Sequence, residues 1–354
     1  RPCGRSRCRA KARWAGASCD RPPVLKYRLC SGERVLDVAR LRSNSGRILL
    51  WRASLRLKLP HNSRSQESRL GYAIMTAFEL VEPSSLGEAL GLLDPDDPAV
   101  RPIAGGTALM LMMKTGLYQP RRLVSLRALG RALTMIAATP EGGLDIGAMV
   151  RLAQIERSAV VRQAAPVVAD TLLTHSNVRV RNVATVGGNL AHGDPHMDLP
   201  PVLIALGASV RVVGPSGERD IPVEELITGY MTTVLGNDEL IAALRVPSQT
   251  GRRAAYAKIT ARTADDWPAL GIAASIGAAD VRIAIGAATE IPMRLTQTEA
   301  LFAGRRIDEA LLREAGKCAA AEAPVVGDLH GSAAYKRVLV EVHLRRALQK
   351  ALDS

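Results

Sequence analysis

Two glycine pairs constrain this chain more than any other feature. Ala104-Gly105-Gly106-Thr107 and Thr185-Val186-Gly187-Gly188-Asn189 are well separated in sequence, and each follows a β-like stretch. A glycine pair lets backbone N–H groups approach an anion without a Cβ in the way and permits positive φ, while the adjoining Thr or Asn adds a donor. Gly-Gly is also ordinary in turns, so one pair alone says little. Two of them in strand, loop, helix surroundings predict opposite walls of one diphosphate-binding cleft.

The chain has 354 residues, 47% of them hydrophobic, enough for two or three units with real cores. Its formal charge of +13 would point to nucleic acid or an anionic membrane if it were evenly spread. It is not: residues 1–74 hold eighteen Lys and Arg against four Asp and Glu, which leaves the remainder close to neutral. Cys3, Cys8, Cys19 and Cys30 fall in the same stretch, without a CxxC pair or a nearby His, which argues against zinc. Cys318 alone lies beyond it, so the body holds no internal disulfide and no iron–sulfur cluster of its own, as fits a reducing cytoplasm. The sequence starts with Arg1, scatters Arg through Ser, Gly and Leu, and shows no sustained amphipathic period before Met75. Residues 1–74 are therefore expected to be a basic extension, either disordered or translated from upstream of a natural start at Met75. A targeting peptide or a nucleic-acid arm is the alternative its composition permits. No uninterrupted apolar run of about eighteen residues is present to span a bilayer.

From Met75 the pattern is mixed α and β. Ser85-Leu86-Gly87-Glu88 has capping-box spacing and predicts a helix to Leu93, closed by Asp94-Pro95. Residues 100–104 read as a strand, the first glycine loop follows, and residues 109–114 read as a helix ended by Gly116. Strands are expected at 122–126, 144–149, 208–213 and 239–246, with helices at 151–158 and 160–173. Pro247-Ser248-Gln249-Thr250-Gly251 reads as a linker. Beyond it come strands at 254–260, 270–278 and 281–288, with a tight turn at Ala279-Asp280, and then helices at 296–303, 308–322 and 333–352. The expected organisation is residues 75–250 as one domain, in parts 75–121 and 122–250, and residues 251–354 as a second.

The second glycine motif extends into Leu190-Ala-His192-Gly-Asp194-Pro-His196-Met-Asp198-Leu-Pro200. Three further passages accompany it in order: Ala104 to Leu109, Lys258-Ile-Thr-Ala-Arg262-Thr-Ala-Asp265-Asp266, and Gly331-Ser332-Ala-Ala-Tyr335-Lys336-Arg337 with Arg345-Arg346-Ala347. Together they resemble the FAD-binding subunit of the molybdenum hydroxylases, the family of the carbon monoxide dehydrogenase medium subunit and the flavin domain of xanthine dehydrogenase. The resemblance runs from Met75 to the end. It implies an α+β fold, with a two-part FAD-binding domain of the vanillyl-alcohol oxidase type followed by a carbon monoxide dehydrogenase flavoprotein C-terminal domain.

The resemblance also implies roles. Gly105, Gly106 and Thr107 would contact the diphosphate of a non-covalent FAD, flanked by Ile103, Ala104, Ala108 and Leu109, with Thr185, Val186, Gly187, Gly188 and Asn189 on the other side. Asp198 would accept from the adenosine ribose, Lys258 would lie near the isoalloxazine, and the Ile241 backbone would meet the flavin ring. His175 stands where the xanthine dehydrogenase branch places an aromatic against the flavin, and Ala184 stands where many members have glycine. From the residues alone, Asp198 also reads as the cap of a helix to Leu206, Lys258 as a solvated strand residue, and Met110, Met112 and Met113 as core filling. The His192 and His196 pair has metal-ligand spacing for a helix, which Gly193 and Pro195 argue against. No GxGxxG, GxxxxGK[ST] or GxSxG motif is present.

By resemblance, the chain is an electron-transfer subunit of an oxidoreductase and needs no catalytic acid or base of its own. A large molybdopterin subunit would oxidise the substrate, a small subunit would relay electrons through [2Fe–2S] clusters, and the flavin here would pass them to an external acceptor. A dimer of heterotrimers in the cytoplasm is expected, without nucleic acid or a membrane span. A self-contained flavin oxidase and a flavin-free assembly subunit are the alternatives.

Overall fold

The computed structural model describes residues 76–354 and two strands, Val35–Leu41 and Leu50–Arg56, which pair antiparallel. The remaining part of the expectation for residues 1–74 lies outside the described residues. The chain divides into two compact units at Glu67/Ser68, and everything below concerns the second.

The unit opens with a three-stranded parallel sheet in which Arg122–Ser125 lies between Glu79–Val81 and Val100–Ile103. The first helix, Leu86–Gly91, is capped by Ser85, whose hydroxyl accepts from the Glu88 N–H at 3.2 Å. Glu88 itself reaches back one residue further than the box predicts, to the N–H of Ser84 at 2.8 Å. A five-stranded antiparallel sheet follows, in the order Ile136–Ala138, Leu144–Gly147, Leu240–Val246, Ser209–Gly214, Gly217–Pro222. The helix expected over 160–173 is two helices, Ala159–Ala164 and Pro166–Leu173. Pro166 has no N–H to give and keeps Ala165 out of helical conformation, at φ −150°, so the chain breaks there.

The last domain is a four-stranded antiparallel sheet, Arg253–Thr260, Pro268–Ile276, Val281–Gly286 and Met293–Arg294, with two long helices, Glu309–Glu322 and Ala333–Asp353, that pack on each other. Every residue of Pro268–Ile276 is buried, because Ala333–Asp353 covers this strand from one domain and helix Leu199–Leu206 meets it from the other. Leu-Pro-Pro-Val-Leu-Ile-Ala-Leu is apolar all round, as a helix enclosed on all sides must be, and all eight residues are buried. Asp198 stands at its N-terminus, so the inter-domain helix fixes where that carboxylate sits.

Candidate functional site

The first glycine loop joins strand Val100–Ile103 to helix Thr107–Lys114 at the carboxyl end of the parallel sheet. Gly106 is the N-cap and sits at φ 72°, which suits glycine and supplies no capping side chain. The first helical bond runs from the Met110 N–H to Gly106 O at 2.9 Å. Among the described residues no acceptor pairs with the backbone N–H groups of residues 105–109, so a run of donors at the positive end of a helix is left without a protein partner. Ile103, Ala104, Ala108 and Leu109 are half-buried and Thr107 is exposed, while Met113 alone of the three methionines is in the core.

The second glycine pair is built differently. It forms the start of a short helix, Val186–Ala191, capped by Thr185, whose hydroxyl accepts from the Gly188 N–H at 3.2 Å. The Val186 and Gly187 N–H groups donate to Val150 O and Ala148 O at 3.0 and 2.9 Å, and Asn189 N–H donates to Thr185 O at 2.9 Å. A Cβ on Gly187 would stand 2.6 Å from that of Ala148. The amides of this loop are therefore engaged, and what it presents is the exposed Cα of Gly188, with Asn189 turned into the core. The two loops do meet: a Cβ on Gly105 would overlap the Val183 carbonyl beside Ala184, and one on Gly188 would lie 3.7 Å from Ala104 Cβ. One wall carries free donors, and the other carries shape.

Ile241 lies on strand Leu240–Val246 just before a bulge, with its side chain in the core. Neighbouring Ala242 accepts from the Ala148 N–H at 2.9 Å, so the strand braces the segment on which Gly187 rests.

Asp198, His175, Lys258 and Asn189 form one buried cluster. Asp198 Oδ2 lies 2.9 Å from His175 Nδ1 and accepts from Lys258 Nζ at 3.0 Å, and Oδ1 accepts from the Tyr256 hydroxyl at 2.8 Å. The carboxylate makes no cap bond to the helix it begins. Lys258 is not solvated; its ammonium is buried between Asp198 and Thr174 O, at 2.8 Å. Burial, reinforced by the Asp198 charge, pushes the Tyr256 phenol well above its ordinary value, so it stays a donor. Asn189 Nδ2 stands 3.3 Å from His175 Nε2, which links the second loop to the carboxylate, while its buried Oδ1 has no partner among the described residues. Arg181 braces His175 from behind: Nη1 donates to Ser176 O at 2.6 Å and Nε to Glu156 at 2.7 Å, holding Ser176 at φ 56°.

Sequence reasoning named Asp198 and Lys258 for opposite ends of one ligand, whereas they are ion-paired here. It missed Tyr256 and Arg181. Tyr256 lies two residues from Lys258 on a strand and so shares its face, a signal available in advance. Gly271 stands opposite Lys258, and a Cβ there would overlap the Tyr256 hydroxyl.

His192 and His196 do not share a helix, which ends at Ala191. Burial pushes the His192 imidazole below its ordinary value, only partly opposed by Asp194. A run of free amides at a helix N-terminus suits an anionic ligand, such as the diphosphate of a dinucleotide.

Comparison with known proteins agrees with this geometry. Residues 76–249 match the FAD binding domain in molybdopterin dehydrogenase, and residues 254–351 match the CO dehydrogenase flavoprotein C-terminal domain. The carbon monoxide dehydrogenase medium chain of Afipia carboxidovorans is 30% identical over 78% of this chain and 96% of its own length. The glyceraldehyde dehydrogenase medium chain of Sulfolobus acidocaldarius is 28% identical over 77% of this chain and 98% of its own. The solved structure of reconstituted CO dehydrogenase from Oligotropha carboxidovorans superposes with a TM-score of 0.75, covering 78% of this chain at 30% identity. The expected α+β architecture of an FAD domain followed by that C-terminal domain holds, and the chain belongs to the FAD-binding medium subunits of the molybdenum hydroxylase family, with FAD as its cofactor.

Proposed function

We propose that this chain is the electron-transfer subunit of a molybdenum hydroxylase complex, holding FAD non-covalently between its two glycine loops. The observation that carries the proposal is the set of unpartnered N–H groups at residues 105–109, with Gly105 pressed against Val183. Residues 103–109 would take the diphosphate on free amides, and Thr185 to Asn189 would close over it by shape. Asp198 and Lys258 would form a buried charged floor, with His175 orienting the carboxylate and the Ile241 backbone beside the ring system. Bound flavin supplies the exchange between one-electron and two-electron partners. The protein's part is to place it and exclude water from one side.

Substrate oxidation would fall to a large molybdopterin subunit, with electrons arriving through a small [2Fe–2S] subunit and leaving to an external acceptor. Relatives named for carbon monoxide and for glyceraldehyde share this chain's architecture, as expected if the substrate is chosen elsewhere in the complex. The described residues contain one free thiol, Cys318, and no helix long and apolar enough to cross a membrane, which supports a cytoplasmic assembly. The test is the visible spectrum of the purified chain before and after acid precipitation, compared with Gly106→Asp and Gly188→Asp. Each substitution puts a carboxylate where the diphosphate would lie. A flavin spectrum released to the supernatant from the parent and absent from both variants is expected. A parent that stays colourless after FAD addition or co-expression with its partners would refute the proposal.

A further inference from the structure

His196 joins two domains through both ring nitrogens. Nδ1 lies 3.1 Å from Asp194 Oδ1, and Nε2 lies 2.9 Å from Asp328 Oδ2 in the C-terminal domain. A neutral imidazole carries one N–H and would turn a bare lone pair on one of these carboxylates; the imidazolium donates to both. Asp328 Oδ2 also accepts from the fully buried Lys336 ammonium at 2.6 Å, and its Oδ1 accepts from the His330 N–H at 2.8 Å. Lys336 donates in addition to Ala287 O, and the Ala287 N–H, at φ 64°, donates to Pro195 O at 2.9 Å. Residues 193–198, which lead from the second glycine loop to Asp198, are thus fastened at Pro195 and at His196. The titratable groups facing His196 are Asp194, Asp328, His330 with ring centroids 5.5 Å apart, Lys336 through Asp328, and His192, which lies 4.0 Å from Asp194. Trp267 meets the imidazole edge-on at 5.8 Å. Burial pushes the His196 imidazole down, but the two carboxylates outweigh it and the net displacement is upward.

We propose that His196 is an inter-domain positioning residue: protonated, it bridges Asp194 and Asp328 and fixes residues 193–198, and with them the Asp198 end of the cofactor cleft, against the C-terminal domain. The bridge stands on the geometry alone; its effect on FAD rests on the function proposed above. Because the folded group holds its proton more tightly than a free histidine, the contribution is complete below about 6.5 and lost as pH rises through the higher folded value. The full chain carrying Trp14→Phe and Trp51→Phe leaves Trp267 as the sole indole, whose emission a neighbouring imidazolium quenches. Between about pH 6 and about pH 9, Trp267 emission is expected to rise, the melting temperature of the flavin-free chain to fall by several degrees, and flavin release to accelerate several-fold. All three responses should vanish in His196→Gln, and His196→Arg, a permanent cation, should keep release slow at the alkaline end. Parallel emission and melting profiles for parent and His196→Gln overturn the bridge. Coincident flavin-release profiles with the melting difference intact overturn the positioning role. A chain that takes up no FAD fails the cofactor reading by itself, and emission and melting still decide the bridge.

Discussion

Asp198 is a buried carboxylate whose two oxygens meet three donors from two segments: His175 beyond helix Pro166–Leu173, and Tyr256 and Lys258 on strand Arg253–Thr260, converging on the start of helix Leu199–Leu206. An anion so far from water is tolerable only with such partners, and they are not equivalent. Lys258→Met removes the charge that balances it and should destabilise the flavin-free chain by about 3 kcal/mol, whereas Tyr256→Phe removes a neutral donor and should cost about 1 kcal/mol. Urea unfolding of both variants checks the order; equal losses would mean that the carboxylate is not held as an ion. Asp198 was legible in the sequence as a functional acid through its motif. His175 and Lys258 were named as well, but not their meeting on this carboxylate, because they lie on segments whose approach only the folded chain defines.

The two glycine loops have different engineering at the level of the element, and glycine is needed for different reasons in each. Gly105→Ala would drive a Cβ into the Val183 carbonyl and part the loops, so we expect flavin retention to fall at least tenfold, read as the ratio of flavin to protein absorbance after gel filtration. Gly87, in helix Leu86–Gly91, has open space around it, and Gly87→Ala should stabilise the chain by about 0.5 kcal/mol on thermal melting without touching flavin content. The central strands and long helices of both domains were readable from periodicity and from breakers such as Pro247 and Gly251, whereas strands Glu79–Val81, Ile136–Ala138, Gly217–Pro222 and Met293–Arg294 were not expected. Helix Val186–Ala191 was not, since Gly187-Gly188 is a poor helix former. The bonds to Ala148 O and Val150 O that anchor its start come from a distant stretch of chain, and the same bonds explain why this loop, unlike the first, keeps no free amides.

For the whole molecule, the order of the domains followed from motif order, but the polar bridge between them did not, because His196 and Asp328 are 132 residues apart and Asp328 lies outside every motif that the sequence offered. The charge is also unevenly carried: the excess positive charge falls in residues 1–74, outside the span matched by either family model. Residues 75–354 alone should therefore keep the flavin and the melting temperature of the full chain while losing its retention on a cation exchanger at neutral pH. Acid stability follows from the other end of the bridge. Burial alone would raise the Asp328 carboxyl, but His196, the Lys336 ammonium and the His330 N–H outweigh it and hold it at about 2. A carboxyl lowered on folding stabilises fully above its unfolded value near 3.8 and loses that contribution as pH falls toward 2. Allowing for the solvent that still reaches the group, the contribution is about 1 kcal/mol. Asp328→Asn removes the anion at every pH and also deprives the Lys336 ammonium of its counter-ion. The variant is expected to melt below the parent at neutral pH, with the two curves converging as pH is lowered from about 5 toward about 2 while the parent's own carboxyl takes up its proton. Circular dichroism melts across that interval check it, and a gap that stays constant with pH would show that Asp328 contributes by shape rather than by charge.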